Sequence, residues 1–489
     1  MKLYLFGHDH KYAVEQVLLM LFPAQRPEYP EGRPEGDRAE VSLFRGEKRL
    51  TAVCRLYLNG ECHVGRAAVS REKLTDELLT DRFSQRIVKL AFYRAALAGG
   101  MKKPEWGALT GIRPAKLMSQ LLNEGLSEKR ALRRFQDNYD VSAARAQLCL
   151  DAAKAGEAAL ASLEAKDVCL YVGIPFCPTR CAYCSFVSNS VEKSAKLIPP
   201  FLEALEKDIA ETGRVVRELG LRPVSVYMGG GTPTTLSAEQ LDTLCGQLEA
   251  HFDLSAVRDY TVEAGRPDTI TEEKMRVLRA HGVKRVSVNP QTMQDAVLTA
   301  IGRHHTAQDI VDALAAVRRA GDFDVNMDLI AGLPADSAEG FHETLSAVLA
   351  LQPENITVHT LALKKGSRIT LDETPLPPPE EVGKMLAEAM ERLTAADYAP
   401  YYLYRQKFMA GGFENVGWSR PGRDNLYNIC IMEELCSILS MGGGASTKLV
   451  SPAGRIERVF APKYPLEYIQ NIDKVCADKE KIKEFYNGL

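Results

Sequence analysis

The sequence predicts an α/β protein whose central domain is a parallel sheet wound into an open or closed barrel. Three observations predict it. From Val168 to about Leu363, strand-like runs alternate with amphipathic stretches, the order that yields parallel strands joined by helical crossovers. Right-handed crossovers then wind the sheet in one sense. A cysteine triplet follows the first run and a glycine run ends the second, which is where barrels of this kind carry their chemistry.

The elements fall in order along the chain. Residues 1–165 read as an α+β domain: a short N-terminal strand, a polar Gly-His-Asp-His turn, a helix around Tyr12 to Phe22, and β-like segments near Glu40 to Phe44 and Leu50 to Leu58. Phe83, Ile87, Leu90, Ala91 and Leu97 then recur at helical spacing until Gly99 and Gly100 stop the helix. Pro27 to Asp37, rich in proline, glycine and charge, reads as a surface loop. In the central domain, 166–365, the predicted strands are Cys169 to Ile174, Val224 to Met228, Tyr260 to Glu263, Arg285 to Asn289, Val325 to Ile330 and Ile356 to Leu361. Phe201, Leu205, Ile209, Val216 and Leu219 form the clearest apolar helix face between them. Residues 366–489 start with a proline-rich turn, continue through a helix at Val382 to Leu393 and an aromatic segment at Tyr398 to Tyr404, and read as an extension packed on the barrel.

Composition narrows the class of function. With 489 residues and 45% hydrophobic content the chain can bury several cores. A formal net charge of −3 gives no basic surplus for nucleic-acid binding. The chain has neither a signal-peptide h-region nor an apolar run of the roughly 20 residues that span a bilayer, so a cytoplasmic protein is expected. Eleven cysteines, an odd number, argue against a disulfide framework.

Cys177, Cys181 and Cys184 form a C-x3-C-x2-C triplet. Three thiolates on one short loop can hold three irons of a 4Fe-4S cluster and leave the fourth iron without a protein ligand. A structural zinc site would want four donors, usually as two paired sets, and no second pair appears. The nearest upstream thiol, Cys169, alternates with Tyr171 and Gly173 in an apolar run and reads as strand. Gly229 to Thr234 follows the second strand, where glycines let backbone approach a ligand closely. Glu263, Gln291, Arg303 and Asp328 also lie at or soon after strand ends. His304 and His305 read as a solvated pair, and His8-Asp9-His10 as a polar turn rather than a metal site.

These residues resemble the radical S-adenosylmethionine (SAM) enzymes of the anaerobic coproporphyrinogen III dehydrogenase family, most of all its long Z-type branch. The resemblance is carried by the triplet with Tyr183, by Gly229 to Thr234, by Val288-Asn289-Pro290-Gln291 and by Met327 to Pro334. It is similar to the Z-type branch also at Thr110 to Pro114 and Tyr401 to Gly417. It implies a partial (β/α)6, TIM-like radical SAM barrel, a 4Fe-4S cluster on Cys177, Cys181 and Cys184, and one or two SAM molecules. Tyr171, Gly230 and Glu263 match positions that hold the first molecule; Tyr183, Gly231, Thr232, Gln291, Arg303 and Asp328 match positions that hold a second. Two departures stand out. Decarboxylating members carry a cysteine where this chain has Phe186 and a histidine where it has Gly173; a phenylalanine at the former position also resembles the haem-chaperone branch.

The implied reaction is oxygen-independent oxidative decarboxylation of coproporphyrinogen III propionates to vinyl groups, giving protoporphyrinogen IX in haem biosynthesis. A one-electron donor such as flavodoxin or ferredoxin is the implied partner, with a porphyrinogen or haem as substrate. Haem delivery, and radical methyl transfer or haem processing, are the alternatives. Substrate carboxylates need cations, for which Arg266, Lys284, Arg303, Lys364, Lys365, Arg405 and Lys407 are candidates. Tyr401, Tyr402, Tyr404 and Phe408 read either as a macrocycle wall or as core packing between extension and barrel.

Overall fold

The computed structural model describes residues 1–184, 189–362, 367–372, 374–406 and 410–488. The chain divides into two compact units, residues 1–150 with 411–413, and residues 151–410 with 414–489.

The first unit holds a four-stranded sheet in the order β1 (Lys2–Phe6), β2 (Arg38–Arg45), β3 (Arg49–Leu58) and β4 (Glu61–Ser70). β1 joins β2 in parallel, and β2, β3 and β4 form an antiparallel meander. Alternate residues on the strands turn Val41, Cys54 and Leu56 into a core shared with Val17 of helix Lys11–Leu21 and with Val88 and Phe92 of helix Glu77–Ala98. Gly65 on β4 is required by this packing, because a Cβ there would lie 2.0 Å from the Ala91 carbonyl oxygen. Asp76 caps the long helix through the Leu79 amide at 2.7 Å.

The second unit is built on one eleven-stranded sheet, open rather than closed. Its strands are β5 (Asp167–Ile174), β8 (Arg222–Gly230), β9 (Asp259–Glu263), β10 (Arg285–Ser287), β11 (Asp324–Ala331) and β12 (Asn355–Thr360), which pair in parallel in that order. The short β6 (Phe176–Cys177) and β7 (Asn189–Ser190) pair separately beside β5. All six predicted strands are present, although β10 stops at Ser287, two residues before the expected end. Their apolar runs are buried on both faces, as parallel strands under helices require.

The residues after 366 do more than pack on the sheet: they extend both of its edges. β13 (Ala399–Tyr404) and β14 (Asn415–Ser419) add antiparallel strands beyond β12. β15 (Ser437–Gly442) runs parallel to β5, followed outward by antiparallel β16 (Ser446–Val450) and β17 (Ile456–Phe460). Helix Leu426–Glu433 covers one face of the sheet. Asn425 caps it at the Asn428 amide and donates to Thr261 Oγ1 at 2.8 Å, while the Leu426 amide donates to Asp259 Oδ2 at 2.8 Å. Tyr427 then lies over Tyr227 at 4.4 Å and Tyr171 at 6.0 Å between ring centroids.

Candidate functional site

The cysteine loop is fixed at several points. Phe176 is fully buried and meets Phe201 edge-on at 5.3 Å. The Ala182 amide donates to the Ile301 carbonyl at 2.9 Å, the Ile369 amide to the Ala182 carbonyl at 3.3 Å, and the Cys184 amide closes a turn on the Cys181 carbonyl at 3.1 Å. Cys177, Cys181 and Cys184 are all half-buried.

Two buried guanidinium groups converge on this loop. Arg266 donates from Nη1 to Thr179 Oγ1 at 3.0 Å and lies 4.0 Å from Cys181 Sγ. Arg303 donates from Nη2 to the Tyr183 hydroxyl at 3.1 Å, and from Nη1 to the Asn289 carbonyl at 2.6 Å. Burial alone would raise the Cys181 thiol pKa, but Arg303 and Arg266 outweigh it and hold the pKa below its ordinary value. A cation-flanked thiol on a constrained loop is prepared to act as a thiolate ligand.

Opposite the loop, the end of β8 supplies backbone in place of side chains. Gly230 takes φ +101°, and a Cβ at Gly231 would sit 2.4 Å from the Phe176 carbonyl oxygen. The Gly231 and Thr232 amides instead donate to Ile174 and Phe176 carbonyls at 2.8 and 2.7 Å, and Thr232 Oγ1 donates to Cys177 Sγ at 3.5 Å. Gly229 leaves the space that the Glu263 carboxylate fills, since a Cβ there would be 2.8 Å from Glu263 Oε2. Tyr227 donates to Glu263 Oε1 at 2.6 Å. Burial, with Asp328 nearby, still pushes the Glu263 carboxyl up to about 7 against the pull of Tyr227 and the Gly230 amide.

Asp328 has the opposite balance. Asn289 and Asn326 donate to its two oxygens at 2.7 and 2.8 Å, and His359 Nε2 lies 3.8 Å away. Burial works against ionisation, but His359 and these donors hold its pKa below the ordinary value. Gln291, at φ +67°, donates its amide to the Asp328 carbonyl at 2.9 Å and accepts from the Ile330 amide at 3.0 Å. Asn289 therefore links Arg303 on one side with Asp328 on the other.

The structure thus brings the sequence-predicted residues together at one end of the sheet in two linked groups. Cys177, Gly230, Gly231, Thr232, Glu263 and Tyr171 form one; Cys181, with Cys184 in its turn, Tyr183, Arg303, Gln291 and Asp328 form the other. Sequence reasoning missed Tyr227, His359 and Tyr427, and gave Asn289 no role of its own; the alternation Tyr227-Gly229 with Thr261-Glu263 was the available signal for the first. Several expectations change. Arg266 serves the cysteine loop, paired with Asp268 at 3.2 Å. Lys284 precedes β10, at the opposite strand end, and donates to the Arg258 carbonyl. Of the two readings of the aromatic run, Tyr401 and Tyr402 take core packing, with Tyr402 fitted against Gly417, where a Cβ would lie 1.9 Å from its ring. His304 is exposed, but His305 is buried beside Arg303 and Arg266, not solvated, and is held neutral with a pKa lowered to about 4 by burial and those cations. Phe186, Lys364, Lys365, Lys407 and Phe408 lie outside the described residues.

These residues fit a 4Fe-4S cluster with SAM. Cation-flanked cysteines, a side-chain-free strand end and buried atoms without protein partners, Arg303 Nε and both His305 ring nitrogens, belong to a site shaped for a bound group. Among the described residues no helix is long and apolar enough to cross a membrane.

Comparison with known proteins agrees. The Radical SAM superfamily model matches residues 171–348. The chain is 39% identical over 386 residues to the oxygen-independent coproporphyrinogen-III oxidase-like protein HemZ of Bacillus subtilis, covering 78% of this chain and 77% of that protein. It is 29% identical over 250 residues to the heme chaperone HemW of B. subtilis, covering 50% of this chain and 64% of HemW. Its fold is similar to that of the coproporphyrinogen III oxidase HemN of Escherichia coli, with a TM-score of 0.52 at 24% identity over 66% of this chain and 72% of that one.

Proposed function

Because the chain belongs to the radical SAM family of HemN, HemW and HemZ, we propose that it is an oxidoreductase that decarboxylates the propionates of coproporphyrinogen III without oxygen. The observation that carries this reading is the convergence of Arg266 and Arg303 on Cys181 opposite the glycine end of β8. Cys177, Cys181 and Cys184 would hold the cluster, and Tyr171, Gly230 and Glu263 would hold the first SAM. When bound, the cluster and SAM supply a one-electron reductive cleavage that yields a hydrogen-abstracting carbon radical.

The protein's own contribution is geometric and electrostatic. Arg303 and Arg266 lower the Cys181 pKa and favour its thiolate, and the Glu263 and Asp328 carboxyls are shifted in opposite directions on one sheet end, so that they present different hydrogen-bonding character at neutral pH. The half-buried Tyr171 and Tyr227 rings, stacked with the buried Tyr427, close the site from below and limit access of water. Haem delivery is the second reading, supported by the similarity to HemW.

The test is an anaerobic assay of reconstituted, reduced protein with SAM and coproporphyrinogen III, following 5'-deoxyadenosine and porphyrin masses, with Cys181→Ala as control. Substrate-dependent 5'-deoxyadenosine with stepwise loss of carboxyl groups, abolished in the control, is the expected result. An intact cluster with no decarboxylation but tight haem binding would replace this reading by the chaperone. A mass gain of one methyl group would replace it by methyl transfer.

A further inference from the structure

A second group of three thiols lies beneath the candidate site, and nothing in the proposed reaction uses it. Cys169 on β5, Cys430 on helix Leu426–Glu433 and Cys436 just before β15 place their sulfur atoms within 4.8 Å of one another. Cys169 and Cys436, 267 positions apart in sequence, have sulfurs 3.7 Å apart. All three are buried, in an apolar setting of Tyr427 and Ile438.

The geometry points to a single-ion site, and we propose that Cys169, Cys430 and Cys436 bind one soft, thiophilic cation in three-coordinate geometry. Three sulfurs around one ion at a metal–sulfur distance of about 2.3 Å stand about 4 Å apart in a trigonal plane, against 3.7 Å for Cys169–Cys436 and at most 4.8 Å within the group. A cubane cluster spaces its protein sulfurs more widely, because each takes a different iron. The donor set is all thiol, so it selects soft ions over Mg2+, Ca2+ or Mn2+. Among the described residues no histidine, aspartate, glutamate or further cysteine joins the group, whereas structural zinc wants four donors. Of the ions that favour thiolate, Cu(I) suits three sulfurs best. Arg258 lies within electrostatic reach of Cys430 and offsets the net negative charge of such a site.

The three ligands also sit where an ion has a structural consequence. β5 leads into the cysteine loop through Tyr171, and helix Leu426–Glu433 carries Tyr427, which stacks on that tyrosine. β15 pairs with β5 from Ser437 onward. An ion here ties the covering helix and the edge strand to the strand that carries the candidate site, so binding and folding stability are linked.

The test uses the full chain, purified anaerobically, fully reduced and free of iron, titrated with Cu(I) against a chromogenic Cu(I) chelator. Because the free thiols of Cys177, Cys181 and Cys184 would also take Cu(I), the titration is read in a chain with all three replaced by alanine. That protein is expected to hold one equivalent, and adding Cys430→Ser or Cys436→Ser should weaken binding at least tenfold. X-ray absorption of its complex should count three sulfurs on copper. Cu(I) should raise its Tm and not that of the serine variants, with circular dichroism confirming that these are folded. Uptake unaltered by both serine substitutions, or no uptake by the triple-alanine protein, would overturn the site. A copper bound by two sulfurs, or one equivalent of Zn2+ held in preference to Cu(I) with a tetrahedral Co2+ spectrum on substitution, would overturn the three-coordinate assignment. The proposal does not rest on the decarboxylase reading, and either can fail alone.

Discussion

Arg303 joins Tyr183, 120 residues away in sequence, through a 3.1 Å hydrogen bond, and the same guanidinium holds the Asn289 carbonyl at 2.6 Å. The arginine is only 6% exposed. It therefore fixes the cysteine loop to the end of β10 and places a positive charge beside Cys181 that water does not screen.

Removing that charge should reach the thiol first. In iron-free Arg303→Leu, the Cys181 pKa should rise, and its alkylation by iodoacetamide at pH 7 should slow as the thiolate fraction falls. Peptide mapping by mass spectrometry isolates Cys181 from the other thiols. Arg266→Gln should act in the same direction, since Arg266 is the second cation named by the geometry. An unchanged alkylation rate in both variants would show that the arginines do not set the thiol.

Glu263 should make stability depend on pH in a defined window. Its folded pKa of about 7 lies above the 4.5 of an ordinary glutamate. Below pH 4.5 both states are protonated and the residue costs nothing. Between 4.5 and 7 the unfolded chain ionises while the folded chain does not, so folding loses stability as pH rises, by about 3 kcal/mol in all. Glu263→Gln removes this dependence. Urea denaturation of the iron-free proteins should therefore show the glutamine variant gaining on wild type from pH 4.5 to 7.5 by an amount of that order; a pH-independent difference between them would contradict the assignment.

The folding pattern explains how much of this was legible. The parallel strands announce themselves as apolar β-rich runs, because both of their faces are buried. β10 ends early because the chain turns through Pro290 into Gln291 at φ +67°, a conformation that a residue other than glycine rarely betrays in sequence. β4 was missed because apolar Cys62 and Val64 are exposed while small Gly65 and Ala67 take the buried face, and Gly65 is there for the close approach of Ala91. The cysteine triplet and glycine run are local and were readable. The link from Arg303 through Asn289 to Asp328 was not, because Asn289 and Asp328 lie 39 positions apart and the bond from Arg303 ends on a backbone carbonyl, which leaves no side-chain pattern. The Cys169 group was hidden by the distance between its members along the chain.

Tyr427 offers a test of the covering helix. It is buried and stacked on Tyr171 and Tyr227, so Tyr427→Ala leaves a cavity against the sheet and should cost about 3–5 kcal/mol. Calorimetry of the iron-free protein measures it. A cost under about 1 kcal/mol would mean that the helix can collapse onto the sheet without the ring, and that the stack does not hold the floor of the site.

Two glycines should respond in opposite ways to one added methyl group. A Cβ at Gly231 would meet the Phe176 carbonyl oxygen at 2.4 Å and the Ile174 carbonyl oxygen at 2.8 Å, both backbone atoms of the segment that leads into the cysteine loop. Neither can rotate away, so Gly231→Ala must displace the loop or the end of β8, at a cost of about 1–3 kcal/mol or more. Gly246 lies in helix Ala238–His251 with nothing within 4 Å of the same atom. There alanine should stabilise by about 1 kcal/mol, as it does in a helix interior. Thermal unfolding of the two variants separates the effects, and iron content after reconstitution should fall only in Gly231→Ala. If that variant matched wild type in both Tm and iron, the close approach of β8 to the loop would not be what shapes the site.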